Sequence, residues 1–350
     1  MRKHSKRKAG MQMETIGIDL GDKISRYCIL DADGNEVEEG CFRNQISSLE
    51  KHFAGVRRRI ALEAGAQSAW ISRELKRLGH EVIVANAREL KWITASDCKN
   101  DPVDARKLAR LARADVKLLA PIEHRSAEQQ TELALIRARD AVLRARTLLI
   151  NSARGIAKGF GVRLPKSITL RFGARALATL PEFLKTALAG LLEQIDALSR
   201  QVSAYDQRIV ALAERHPEIE RLTSIPGVGT LTALTFVLTL GRAERFAHSR
   251  DVAGFLGLHP KQRQSGARDP QLGISKSGDP YLRKLLVQCS HHILGHWGPE
   301  SALRRWGLAK AAGGKKASLR AIVAVARKLA VLLHRLWTTG DFYKPFPQSA

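Results

Sequence analysis

Cysteine is scarce in this 350-residue chain: Cys28, Cys41, Cys98 and Cys289 stand far apart, with no CxxC pair among them. Such spacing points to neither a zinc site nor a disulfide framework, and it fits a reducing compartment. Long apolar runs are missing too. No stretch of about 18 or more apolar residues is available to span a bilayer, and the basic segment 2–8 is not followed by the apolar core of a secretory signal. The chain is therefore expected to be soluble and cytoplasmic, with no membrane partner. Aromatics are only 5% of the residues, and Trp70, Trp92, Trp297, Trp306 and Trp337 are scattered, reading as core or interface anchors without a base-stacking pattern. Acids are the last shortage. Thirty-four Asp and Glu against fifty-eight Lys and Arg leave a formal charge of +24, a field that favours polyanions and repels itself unless a partner neutralises it. A ribosomal or membrane-surface protein would concentrate that charge in tails or one amphipathic helix. Here only the arm 1–13 stands out, so nucleic acid is the expected partner.

The patterning predicts an α/β region followed by an all-helical one. Residues 15–20, 25–30 and 36–42 read as three strands, the last two joined through the turn residues 31–35. A short helix at 46–53 precedes a strand at 59–63, a helix at 68–78, a strand at 81–85 and a helix at 102–113. Three leading strands, then strand, helix, strand and helix, is the order of the ribonuclease H fold: a mixed sheet flanked by helices. Helical periodicity takes over at 126–154 and again at 183–215. In the second stretch Leu188, Leu191, Ile195, Leu198, Val202, Tyr205, Ile209 and Leu212 step by three and four, a heptad seam. That coiled-coil seam packs either on the antiparallel neighbour at 126–154 or between protomers. Residues 155–175 read as a glycine-rich basic loop. Past Pro217 comes Ile225-Pro-Gly-Val-Gly229, which matches a helix-hairpin-helix turn whose Gly227 and Gly229 expose backbone N–H groups to a DNA phosphate. A tight helix-helix turn with no ligand is the alternative. A basic amphipathic helix at 318–337 closes the chain. The expected domains are 1–13 (basic arm), 14–120 (ribonuclease-H-like, RuvC-like), 121–217 (long helices) and 218–340 (mainly helical, with the hairpin).

Four acids form the leading chemical constellation. Asp19 closes the first strand in Gly17-Ile-Asp-Leu-Gly-Asp22, and Glu63 closes the strand at 59–63. Two central strands thus each deliver a carboxylate to one sheet edge. Asp101 and Asp104 stand three apart at a helix start, on one face. Four convergent carboxylates repel one another without cations. Two Mg²⁺ ions, hard and oxygen-seeking, relieve that repulsion and can activate a nucleophile at a phosphodiester. Singly, each acid has an ordinary alternative as a helix cap, a dipole partner or a strand end; Asp22, Asp31 and Asp97 are read as turn or loop residues. His291, His292 and His296 share a helix face without acid or Cys partners, which suits a core or amide-bonding role better than a metal.

Asp19 in GIDLGD, Glu63 in ALEAG, and Asp101 with Asp104 in KNDPVDARKLARL resemble the DEDD tetrad of the RuvC-like insertion-sequence transposases, the bridge-RNA-guided recombinase group. Residues 225–286, from IPGVGT through KQRQSGARDPQLG to YLRKLL, resemble that family's second domain. The resemblance covers nearly the whole chain. It implies a Mg²⁺-dependent transposase, with Mn²⁺ able to substitute, that cuts and joins donor and target double-stranded DNA under a structured guide RNA. It also implies a serine of the second domain that becomes covalently linked to DNA, and a homo-oligomer, dimer or tetramer, in which acids of one protomer complete the site with the serine of another. The matching serine is Ser265, with Ser275 and Ser277 as competitors, and Ala267-Arg-Asp-Pro270 departs from the family's usual segment. Around Ser265, Lys261, Arg263, Arg268, Lys276 and Arg283 are placed to hold the scissile phosphate. Two rival readings remain. One is a RuvC-like junction nuclease whose metals activate water; the other is a non-catalytic nucleic-acid-binding protein.

Overall fold

The computed structural model describes residues 13–87, 101–166, 170–261 and 272–346, without the side chains of Asp101 and Pro102. It divides into two compact units, Met1–Arg125 and Ser126–Ala350. The first is built on β1 (Thr15–Asp19), β2 (Ile24–Leu30), β3 (Glu36–Arg43), β4 (Arg59–Glu63) and β5 (Glu81–Ala85), in the sheet order β3-β2-β1-β4-β5. The first three form an antiparallel meander, whereas β4 runs parallel to β1 and β5 parallel to β4. This is the mixed sheet that the element order predicts. The turn between β2 and β3 is closed by Asp31, whose carboxylate accepts from the backbone N–H of Asp33 at 2.9 Å and of Asn35 at 2.8 Å. The Asn35 side-chain and backbone hydrogen bonds hold that carboxyl below its usual pKa.

Alternation along the strands sorts their side chains onto two faces. On one, Ile16, Ile18, Ile60 and Leu62 pack with Leu49 and Phe53 of α1 (Ile46–Phe53) and with Ile71 and Leu75 of α2 (Ser68–Arg77). Burying each of these side chains contributes roughly 1.5–3 kcal/mol. On the other face Gly17, Ala61, Cys28 and Ala85 meet α3 (Asp101–Ala114), whose buried stripe is Ala105, Leu108, Ala109 and Ala112. Where α3 crosses Gly17 the helix residues are alanines. A Cβ on Gly17 would lie 1.9 Å from the Ala105 carbonyl oxygen and 2.5 Å from the Ala109 nitrogen, so helix backbone rests directly on strand backbone.

The second unit begins with α4 (Ala127–Gly159), started by a capping box between Ser126 and Gln129. After α5 (Phe172–Thr179) comes α6 (Glu182–Ala213). Ion pairs Glu128–Arg215 and Arg139–Asp206, with Ile150 and Ala157 sharing a core with Leu184 and Leu188, make α4 and α6 antiparallel. The apolar seam is therefore covered within the chain by α4 and α5. Its buried positions Leu184, Leu188, Leu192, Ile195, Ser199 and Val202 repeat every 3.6 residues, while Leu191, Leu198 and Tyr205 are half-buried. The segment expected to be a loop at 155–175 is helical at both ends, because Ala157 and Phe172 are fully buried against α6.

The core of the second unit surrounds α8 (Thr230–Leu240), which follows the short α7 (Glu218–Thr223) and is buried from Thr232 to Leu240. Residues of α9 (Ser249–Phe255), α10 (Pro280–Leu294) and α12 (Lys315–Thr339) share that core, and α11 (Ala302–Ala311) packs Leu303 and Trp306 against it. Leu133, Ile136, Ile209 and Leu212 of the long helices belong to that same core. Among the described residues no helix is long and apolar enough to cross a membrane.

Replacing Gly17 by Ala forces α3 off the sheet, and overpacking of this kind costs about 1–3 kcal/mol or more. Thermal unfolding of Gly17→Ala is expected to show a clearly lowered midpoint; an unchanged midpoint would refute the backbone-on-backbone contact.

Candidate active site

The register Ile18 to Leu62 sets the ends of β1 and β4 side by side and pointing the same way. Asp19 and Glu63 are the next residues, both half-buried. Period-2 alternation puts Asp19 on the face of Gly17 and Glu63 on the face of Ala61, the face that α3 covers. On α3 the sheet-facing stripe runs through Ala105 and Leu108. One turn back along it stand Asp101 and Asp104. Three elements thus carry acids to one edge, at the carboxyl ends of the two parallel strands between which the chain reverses its direction across the sheet. Crevices at that point are the usual ligand sites of open α/β sheets.

Asp104 supplies the electrostatic clue. Its side chain is 15% exposed and stands 3.9 Å from Lys107 Nζ, and both its Oδ1 and that Nζ are buried without a hydrogen-bond partner. A buried carboxylate oxygen left unbonded is costly, and a hard cation is the group that an all-oxygen acid set accommodates. The residues present therefore fit a divalent metal. Among the described residues, though, no three His, Cys, Asp or Glu side chains are drawn into a closed metal-binding group, and the side chain of Asp101 lies outside the description.

The loops after both strands are tied down by residues that carry no motif. Asn44 Nδ2 donates to the carbonyls of Gly21 and Asp22 at 2.9 and 3.3 Å, and Gln67 Nε2 reaches the same two carbonyls. Ser25 Oγ in turn donates to Asn44 Oδ1 at 2.6 Å. Beyond β4, Ser68 Oγ accepts from Gly65 N at 3.0 Å and meets His124 Nε2 at 2.9 Å. Sequence reasoning missed Asn44, Gln67, Ser68 and His124, since each acts across a long separation in the chain.

In the second unit Ser265, Arg263 and Arg268 lie outside the described residues. Their flanks are described. Lys261 N donates to Gly273 O at 3.0 Å and Ser275 N to His259 O at 2.9 Å, around an antiparallel bridge between Pro260 and Ile274. Residues 262–272 thus join two paired arms, with Lys261 exposed on one of them. Past the second arm the chain turns sharply into α10. Lys276 takes φ +57 and Gly278 φ +77, and Ser275 and Ser277 share a hydroxyl hydrogen bond of 2.9 Å. Gly257, at φ +66, has no room for a side chain: a Cβ there would lie 2.2 Å from Ser277 O. Arg283 Nη1 donates to the carbonyls of Leu256 (3.1 Å) and Ser277, so its guanidinium ties this turn to the end of α9.

Between α7 and α8, Gly227 adopts φ +90 and Gly229 caps the N-terminus of α8. Space as well as φ demands the first glycine, since a Cβ would sit 2.6 Å from His292 Cδ2, whereas nothing lies within 4 Å of one on Gly229. His291, His292 and His296 are exposed, not in the core, and His296 stacks edge-on with Trp297, itself 81% exposed.

Residues 16–161 match a transposase family model of the DEDD, IS110 type, and residues 219–305 match the model of the transposase IS116/IS110/IS902 family. Similar curated proteins span almost the same length. The transposase for insertion sequence element IS1111A of Coxiella burnetii is 29% identical over 98% of this chain and 96% of its own. The candidate transposase y4pF/y4sB of Sinorhizobium fredii is 30% identical over 95% and 86%. The transposase for insertion sequence element IS1328 of Yersinia enterocolitica is 29% identical over 79% and 82%.

Gly257→Ala combines a left-handed φ with a backbone collision, and should destabilise the second unit by about 1–3 kcal/mol. Gly273→Ala, on the opposite arm with open space around it, should stay within about 0.5 kcal/mol. Urea unfolding of the two variants checks the contrast; equal effects would refute it.

Proposed function

The chain belongs to the IS116/IS110/IS902 family of insertion-sequence transposases, and from that premise we propose that it cuts and rejoins donor and target DNA through a metal-bound acid set and a serine nucleophile, under the direction of a guide RNA. Members of the family transfer DNA strands, and DEDD transposases generally depend on a divalent metal. The observation that carries the reading is the convergence of Asp19, Glu63 and the first turn of α3 on one sheet edge, with a buried, unbonded oxygen on Asp104. Asp19, Glu63, Asp101 and Asp104 would hold Mg²⁺, two ions by the charge of the set, with Mn²⁺ as substitute. Bound there, the metal supplies Lewis acidity, lowering the pKa of a coordinated hydroxyl and offsetting charge on the phosphate oxygens.

Ser265 is the proposed nucleophile. Its Oγ loses a proton and bonds to phosphorus while the bond from phosphorus to one deoxyribose oxygen breaks, and that oxygen takes up a proton as the new DNA end. The phosphoserine ester keeps the energy of the phosphodiester. Attack by a hydroxyl end of the other DNA then reverses the bookkeeping and frees the serine, so joining needs no external energy source. Ser265 falls between the paired arms 259–261 and 273–275 in the chain, and Lys261 and Lys276, the described cations on and next to those arms, are proposed to hold the scissile phosphate together with Arg263 and Arg268. The turn at Gly227 and Gly229 is proposed to hold DNA backbone without reading sequence. A chain of charge +24 with sequence choice delegated to RNA pairing needs no base-reading helix of its own, and the protein is proposed to act as a dimer or tetramer.

Two measurements test the parts separately. Incubation with element-end DNA, guide RNA and Mg²⁺ should yield a protein–DNA adduct that survives denaturation and is absent in Ser265→Ala; full cleavage by that variant would leave water as the nucleophile and end the serine reading. Asp104→Asn should weaken Mn²⁺ binding by at least about tenfold in calorimetry, about 1.4 kcal/mol. Asp22→Asn, in the exposed turn after β1, should leave it unchanged; equal affinities in wild type and Asp104→Asn would sink the metal assignment.

A further inference from the structure

A groove of roughly 2070 Å³ runs along α12, walled by α11, by the two arms 258–260 and 272–276, and by residues 341–346. Its chemistry is mixed. Val323, Ala324, Val331 and Leu332 form an apolar floor, and beside them stand Trp306 and the half-exposed rings of Phe342 and Phe346. Eight Lys and Arg line it against one acid, Asp341. Among the described residues none of the eight enters an ion pair, whereas Arg106, Arg139 and Arg215 elsewhere are each matched by a carboxylate. Arg320, Arg327 and Arg335 are exposed and share one stripe of α12, a rank of about 22 Å at 1.5 Å per residue. Lys328 Nζ and Lys310 Nζ lie 3.8 and 5.1 Å from the centre of the Trp306 ring.

Uncompensated like charges repel one another until a polyanion neutralises them. The apolar floor and the half-exposed rings, Phe346 with the Arg305 guanidinium 4.8 Å from its centre, narrow the choice further. A duplex turns its bases inward and offers a groove like this only phosphate and sugar, whereas an unpaired strand brings base faces that stack on aromatic side chains beside a cationic track for its backbone. The position decides which strand. Two walls of the groove are the arms that flank residues 262–271 in the chain, so on the reading of Ser265 as nucleophile the strand it attacks is assigned to the groove.

We propose that this groove holds a single strand of DNA, the one adjoining the phosphate at which Ser265 acts, with its bases over the α12 floor and its phosphates on Arg320, Arg327 and Arg335. The choice of strand rests on the reading of Ser265 as nucleophile; the groove's affinity for an unpaired strand does not.

Full-length Ser265→Ala protein, titrated with fluorescein-labelled oligo(dT) by anisotropy, separates the two. Replacing Arg320, Arg327 and Arg335 together by Ala should weaken binding at least about tenfold near 0.15 M salt, and should lower the slope of log K against log salt by about 2, at roughly 0.7 for each single-strand phosphate contact. Phe342→Ala with Phe346→Ala should weaken binding while leaving that slope unchanged. The exposed arginines Arg57, Arg200 and Arg208 replaced together serve as the control, and melting curves confirm that each variant folds. Unchanged oligo(dT) affinity in the triple variant overturns the proposal and leaves the groove to an acidic helix. A loss confined to oligo(rU), or to duplex DNA, overturns it as well. If wild type forms no serine adduct yet the groove variants behave as expected, the groove stands and the serine reading falls.

Discussion

Helix α3 rests on β1 with nothing between them, since Gly17 and Ala61 are the strand residues at the crossing and alanines face them from the helix. That contact sets the height of the helix above the sheet. Had either element carried a larger side chain there, α3 and the first turn that holds Asp101 and Asp104 would stand further from the sheet. The parallel register of β1 and β4 does the complementary task in the plane of the sheet by bringing those two ends level. Placing several acids at one sheet edge is unfavourable in itself, so the packing energy of the two faces has to impose it. The apolar layer beneath β1 and β4 provides that energy, and the site sits at the edge where it runs out.

Much of this was legible in the sequence because it is local. Alternating apolar residues gave the five strands and their order, and the three-residue step from Asp101 to Asp104 gave the shared helix face. Gly17 is legible as part of the strand-end motif Gly17–Asp22, but what it does depends on Ala105, far along the chain, which no spacing rule could supply. The ties of Asn44, Gln67 and His124 escaped for the same reason. In the second unit a heptad was a fair description of α6, yet the buried set keeps the 3.6-residue period of a straight helix. Its partners are α4 and α5 in the same chain, and a choice between internal and external packing is not written in periodicity. The stretch 155–175 looked like a loop because glycine and charge are frequent there; burial of Ala157 and Phe172 overrode that composition.

The second unit solves a different problem, pairing the two backbone arms on either side of residues 262–271. Backbone pairing at 259–261 with 273–275 fixes where that stretch starts and stops, and the turn behind it is crowded enough that Gly257 and Gly278 are required by space as well as by φ. Arg283 spends its charge on two carbonyls there, a use that composition alone would have assigned to phosphate. Positive charge in this protein thus has two roles: some of it braces turns from within, and some, along α12, forms no ion pair among the described residues.

The span of chain between Asp19 and Asp104 also bears on how the protein is made. These residues are 85 positions apart, and the helix that carries Asp104 packs on a sheet assembled earlier, a contact of long sequence separation and correspondingly late formation. A nascent chain that has emerged only through β5 holds two acids on open strand ends and no third. Translation through β5 therefore leaves the Gly17 face of the sheet uncovered, and the first unit closes only when synthesis has passed Ala114.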